Sequence, residues 1–380
     1  MIPDVFLYQE DNRKLREYLL TNTWFRFVLN MGDVFQKVTR PACVIVFQNS
    51  SVERREIQVA NLCRVPKVEK PLAVASLKYE MLSQRAALDL PASILPTADT
   101  GHYDLWSKVA RVDHASLGEL IDADGIQRGV SPDLKEAFLV DSATVKKAKL
   151  ESSHLRGVLT GGKQVHRYHI DYPDLFVIYT LSEDNFAELP NIRYFIDGFR
   201  DSITCKEVKQ KKHSIYALHR ARNRRIFEKP SKFVGVITED RIAVATDSFR
   251  TYTTDGLYVF GAKNGVDHDF LLGVLNSRLF VFLYRLLALE SGRVLAQVKP
   301  TVIARLPIAI DTNGEVTAKI ARLSQKIVSL KATLGRARTD QERTVRERHV
   351  EATDRQIDIL VYDLYGLTEG EIAIVESAVE

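Results

Sequence analysis

Short apolar runs broken by glycine, proline and charged turns dominate residues 1–312, and a spacing of three and four takes over after them. In the first fifty residues Ile2–Leu7 reads as an apolar strand or strand end. Asn12 is placed to cap a helix carrying Leu15, Tyr18 and Leu19 at helical spacing, which ends near Asn22. Trp24–Leu29 and Ala42–Phe47 are β-rich runs separated by Gly32 and Pro41. A piece this small buries little surface alone, and its strands leave an unpaired edge. Residues 50–116 alternate short strands with a predicted helix over Leu77–Ala87 and a proline-containing loop, Leu90–Gly101, and read as a connector.

A second unit opens at Leu117-Gly118-Glu119-Leu120 and runs to residue 312 as many short strands punctuated by glycine, aspartate and aromatic residues. Within it Val274–Leu289 is the most apolar run, but Asn276, Arg278 and Arg285 interrupt it, so a buried helix is expected rather than a membrane span. Residues 313–380 read as helical. Ile320, Leu323, Ile327, Leu330 and Leu334 step as a packed helix does, and a second helix is predicted over Thr339–Leu364, stopped by Gly366.

Composition narrows the picture. A chain of 380 residues with 45% hydrophobic content has ample core for two or three soluble domains. The start Met1-Ile2-Pro3-Asp4 has no basic leader, so no signal peptide is expected. Three scattered cysteines, Cys43, Cys63 and Cys205, fit a reducing cytoplasm and speak against a zinc site. The net charge of +4 is mild, so a nucleic-acid surface must come from clustering.

Such a cluster exists. Lys206, Lys209, Lys211, Lys212, Arg220, Arg222, Arg224 and Arg225 stand against one acid, Glu207, with His213, His219 and Tyr216 among them. Phosphate attraction drives non-specific DNA affinity, and arginine can read guanine bidentately. The arginines are therefore the candidate readers and the lysines the backbone contacts; a solvated surface is the bland alternative. Gly161-Gly162-Lys163 forms a turn able to bring N–H groups to a phosphate, or simply a turn. His166 and His169 are expected on opposite sides of one strand, which argues against a metal pair. Asp174 with Glu207 and Lys209 can be arranged as a Pro-Asp … Glu-x-Lys nuclease signature holding Mg²⁺, a pattern that charged chains produce often by chance.

Several strings, in order, resemble the γ-type, TaqI-like adenine-specific DNA methyltransferases. Met31-Gly-Asp-Val-Phe35 followed by the run to Phe47 resembles the segment downstream of the family's catalytic motif. Leu117–Gly129 is similar to the opening of its target-recognition domain. Leu155–Lys163 with Arg167-Tyr168 resembles a further block, and Leu275-Asn276-Ser277 with Leu306-Pro307-Ile308 resembles the pair that closes the domain. Ile357–Glu369 is like the helical tail of the larger members. The family's glycine-rich cofactor turn and its Asn/Asp-Pro-Pro-Tyr/Phe motif have no counterpart: the chain contains no Pro-Pro pair.

The resemblance implies an α/β plus α+β chain. Residues 1–49 would be the last strands and helix of a Rossmann-like methyltransferase sheet, 117–312 a β-rich recognition domain and 313–380 a helical tail. It also implies that Phe35 stacks on a flipped adenine. Catalytic residues, a metal site and a bound cofactor are not expected in this chain. S-adenosylmethionine is expected on a catalytic partner subunit or a missing N-terminal half, double-stranded DNA is the expected partner, and no membrane is involved. The implied activity is the DNA-specificity part of an adenine-N6 methyltransferase in restriction–modification or phage defence. An inactive gene remnant and the Mg²⁺ nuclease are the alternatives.

Overall fold

The computed structural model describes residues 1–35, 40–49, 55–289, 296–334, 337 and 339–379. Its first element is a five-stranded sheet. β1 (Ile2–Pro3), β2 (Trp24–Gly32), β3 (Ala42–Gln48), β4 (Glu56–Asn61) and β5 (Glu80–Ser83) lie in the order β1-β3-β2-β4-β5. Only β2 and β4 run parallel. The helix α1 (Arg13–Asn22) packs beside them through the fully buried Arg16. That guanidinium donates to the carbonyls of Phe6, Gln9, Ala92 and Ser93, so a charge buried without a carboxylate is still satisfied. Burial pulls its pKa down to about 10.

Several sequence expectations need correction here. The sheet does not stop near residue 49: β4 and β5, from the segment read as a connector, complete it. Of Ile2–Leu7 only two residues are strand, and Asp4–Leu7 is a 3₁₀ turn. Asn12 makes no side-chain cap. Leu77–Ala87 is not one helix but β5 followed by a helix over Gln84–Asp89, which Ser83 caps by accepting from the Ala86 N–H.

The second unit begins and ends at one ladder, since His114–Ser116 pairs antiparallel with Pro307–Ala309. Ser116 and Glu119 form a capping box over Leu117–Leu120. Between these ends lie two four-stranded sheets. One is antiparallel, with Lys232–Val236 between Val244–Asp247 and Leu257–Phe260, and Gln127–Arg128 at the edge. The other sets Leu155–Leu159 between Tyr252–Thr253 and Phe176–Ile178, with Leu139–Val140 outermost.

Strand alternation divides the core. Val234 and Val259 face the second sheet, with Val177, Ile192 and Phe227. Phe233, Tyr258 and Phe260 face the helices on the other side. A Cβ at Gly235 would lie 2.2 Å from the Tyr258 ring, so only glycine lets that ring cross the strand.

Those helices, His268–Asn276 and Arg278–Ala288, meet at a 66° bend and are almost wholly buried. Among the described residues no single helix is long and apolar enough to cross a membrane. The tail forms a pair, Glu315–Leu334 and Asp340–Leu364. Thr339 caps the second of these by accepting from the Glu342 N–H, and Gly366 leaves it at φ +61°. The expected tail helices, with Ile320 and Ile327 buried, form as the spacing indicated.

Candidate nucleic-acid interface

The basic run is built as two separate surfaces. Asp133 anchors the first by accepting from the N–H groups of Thr204 and Cys205, both at 2.8 Å. One helical turn follows, Lys206–Lys209, and Lys211 adopts φ +57° as the chain folds back. Lys206, Lys209, Lys211 and Lys212 all point to solvent around this turn, and none makes an ion pair. Four unneutralised ammonium groups on a short loop suit backbone phosphates.

The arginine stretch is held more firmly. Ser131 and Arg220 exchange backbone hydrogen bonds, and the Arg222 Nε donates to the Gly129 carbonyl at 3.2 Å from a left-handed backbone, φ +63°. Burial, with the nearby Arg220 charge, lowers the Arg222 pKa. Asn223 caps the short helix Arg224–Phe227, whose Ile226 and Phe227 are buried. Arg224 pairs with Glu228 at 2.7 Å, and Arg225 is exposed without an ion pair. Arg222 therefore spends part of its hydrogen-bonding capacity on the fold, whereas Arg220 and Arg225 present their charge outward.

Lys163 lies in the turn closed by the Gln164 N–H donating to the Gly161 carbonyl, and it is exposed. This turn packs beside Val236, and among the described residues no hydrogen bond or ion pair joins it to the lysine loop. Phe35 is 48% exposed where the chain leaves β2, and its carbonyl accepts from Lys67 Nζ at 3.1 Å. Lys70 Nζ donates to the carbonyls of Met31 and Asp33, so the connector holds this turn in place. Residues 36–39 lie outside the described residues.

Two other sequence readings change. His166 and His169 do not share a strand. They face each other across a tight hairpin, and both ring nitrogens reach Asp171, at 3.3 and 3.0 Å. Asp174 accepts from the Ser142 hydroxyl, while Glu207 accepts from the Cys205 thiol at 3.0 Å and lies 3.5 Å from His219. Among the described residues no hydrogen bond or ion pair joins either carboxylate to Lys209.

Sequence reasoning missed two features. One is the set Cys205, Glu207 and His219, whose ligand-type atoms lie within 4.8 Å of one another. The other is a cavity of about 630 Å³ outside the carboxyl ends of β2 and β4, lined by Asn30, Asn61, Asp99, His102 and Arg285. The cavity assembles residues from distant segments, and the Cys-x-Glu … His spacing matches no usual zinc-ligand pattern.

The two sheets and the bent helices carry the decisive likeness. Residues 158–308 match the TaqI-like C-terminal specificity domain. That stretch holds Lys163, all eight basic residues of the 206–225 run and Asn276, while Phe35 lies outside it. One solved structure extends the likeness of fold over nearly the whole chain. The structure of the type IIL restriction-modification enzyme MmeI in complex with DNA matches 99% of this chain and 48% of its own, with a TM-score of 0.59 and 11% identity. At that identity the likeness concerns the fold alone. The type IIG restriction endonuclease BpuSI matches 96% of this chain and 47% of its own, with a TM-score of 0.36 and 11% identity, too distant to carry an argument. The chain spans about half the length of these enzymes. No curated protein matches its sequence.

Proposed function

We propose that this chain is the DNA-recognition part of a site-specific adenine-N6 methyltransferase in a restriction–modification or phage-defence system. The carrying observation is the specificity-domain match over 158–308, together with the exposed, largely unneutralised basic residues of 206–225 inside it. The lysine loop and Arg225 hold phosphates, and Arg220, Arg222 and Arg224 supply candidate base contacts.

The first sheet supports a separate catalytic half. Its parallel β2–β4 pair with the antiparallel β3 between β2 and β1 suits the end of a Rossmann-like methyltransferase sheet. β1 covers only Ala42 and Cys43 of β3, so the outer edge from Val44 to Gln48 is open among the described residues, with Val46 and Phe47 exposed. An open apolar edge invites strand addition. The catalytic half, on a partner subunit or an N-terminal region, completes the sheet there, brings S-adenosylmethionine and places Phe35 beside the target adenine. This chain has neither the glycine-rich turn nor a Pro-Pro pair with which to hold that cofactor itself.

The test is selection of duplexes from a random library by the purified full chain, followed by sequencing. The expected result is enrichment of one short adenine-containing motif. Recovery of unbiased sequences would overturn the specificity reading.

A further inference from the structure

At the root of the lysine loop lies a group of side chains that phosphate binding does not use. Cys205 precedes the helical turn, Glu207 sits within it, and His219 returns from the far end of the loop. The Glu207 Oε2 is 3.0 Å from the Cys205 Sγ and 3.5 Å from the His219 Nε2. Among the described residues no other three ligand atoms of His, Cys, Asp or Glu come within 4.8 Å of one another.

We propose that Cys205, Glu207 and His219 bind a single zinc ion that clasps the two ends of the lysine loop. The spacing fits. Zinc bonds of about 2.3 Å to sulfur and about 2.0–2.1 Å to nitrogen or oxygen, at tetrahedral angles, set neighbouring ligand atoms roughly 3.3–3.5 Å apart. The sulfur–oxygen pair need open only slightly and the nitrogen–oxygen pair is already there. Soft thiolate, imidazole and carboxylate together select zinc over the hard magnesium or calcium ions.

The surroundings hold the ligands from both outside and inside the loop. Asp133 fixes the Cys205 backbone, and the His213 ring lies edge-on to His219 at 5.9 Å. His213 is itself held, through Ser182 and the Ala217 carbonyl. Such outer contacts orient metal ligands. Thiolate and carboxylate supply two negative charges, which neutralise the divalent ion among the lysines. A free cysteine thiol carries its proton at neutral pH. Binding therefore exchanges that proton for zinc: the S–H bond breaks, the Zn–S bond forms and one proton goes to solvent. Water fills the remaining coordination position. The ion would tie residue 205 to residue 219 and fix the lysines between them.

This inference stands apart from the DNA reading, because it is tested without DNA. The metal-stripped full chain is titrated with Co²⁺ and then Zn²⁺. The expected result is a thiolate-to-cobalt charge-transfer absorption that saturates at one equivalent and is erased by zinc. Cys205→Ser should abolish the band, and His219→Ala should weaken zinc at least about tenfold. Glu207→Gln, an isosteric change at an exposed position, covers the case in which the cysteine variant fails to fold, and should also weaken zinc at least about tenfold. No band in the native chain, an undiminished band in Cys205→Ser, or unchanged zinc affinity in Glu207→Gln overturns the proposal.

Discussion

The side-chain amide of Asn276 pairs with both backbone groups of Val244. Its Oδ1 accepts from the Val244 N–H at 3.1 Å, and its Nδ2 donates to the Val244 carbonyl at 2.9 Å. A side chain at a helix end thus takes the place of a neighbouring strand at the edge of Val244–Asp247. Its Nδ2 also donates to the Leu272 carbonyl, its own carbonyl accepts from Arg167, and Ser277 caps the next helix. Leu275-Asn276-Ser277 is therefore a joint between the recognition sheets and the helices behind them.

Asn276→Ala leaves the Val244 N–H buried without its acceptor, while the Val244 carbonyl keeps the Tyr168 N–H at 3.0 Å. The cost of one orphaned buried group is about 1–3 kcal/mol, and the variant should lose about that much. Urea denaturation checks this through the midpoint, with the slope unchanged. A loss below about 0.5 kcal/mol would show that the joint contributes little.

Asp358 gives a pH prediction. It is almost fully buried, accepts from the Arg278 N–H at 2.8 Å, and burial pushes its pKa up to about 6, with Asp354 adding to the rise. The folded protein then holds this proton more tightly than the unfolded chain. The stabilisation is complete below about pH 4 and is lost as pH rises through about 6. Asp358→Asn keeps an acceptor for the Arg278 N–H without the charge. Relative to the native chain it should gain about 1–3 kcal/mol between pH 4 and pH 7, since a pKa raised by one costs about 1.4 kcal/mol once the carboxyl ionises. Parallel pH-dependence curves for the two proteins would remove Asp358 from the account.

The sheet edge and Phe35 are tested in a complex reconstituted with a methyltransferase catalytic half. Val46→Lys with Phe47→Lys places charge on the open β3 edge and should block assembly while leaving the chain's own DNA affinity within about twofold. Phe35→Ala should spare assembly and DNA affinity but lower methylation by the worth of one stacked base, about 1–3 kcal/mol. Pull-down and methyl-transfer assays separate the two. Assembly of the doubly charged variant at native strength would place the interface elsewhere.

What the sequence disclosed, and what it hid, follows from how far apart the interacting residues lie. The tail helices were legible because Ile320, Ile327 and the Thr339 cap act within a few residues. The strings resembling a family were legible too, but the structure shows many of them as joints. Arg167 reaches Asn276 and Asp354, and Lys331 donates to the Arg167 carbonyl. The hidden parts depend on long-range pairing. β4 and β5 join the first sheet only because Phe27–Asn30 pairs with Gln58–Asn61. A two-residue strand such as His166's carries no period to read, so its hairpin and the shared Asp171 could not be foreseen. Arg222 looked like its neighbours in the charge run, and only the fold brings it to Gly129.

If the 206–225 surface grips DNA through its phosphates, duplex affinity must depend steeply on salt. Fluorescence anisotropy of the full chain with a mixed-sequence duplex, across a salt series, should give log affinity falling linearly with log salt. Replacing Lys206, Lys209, Lys211, Lys212 and Arg225 by Ala should flatten that slope by about 0.9 for each phosphate no longer neutralised. A chain without measurable duplex affinity, or a variant whose slope equals the native one, would contradict the account.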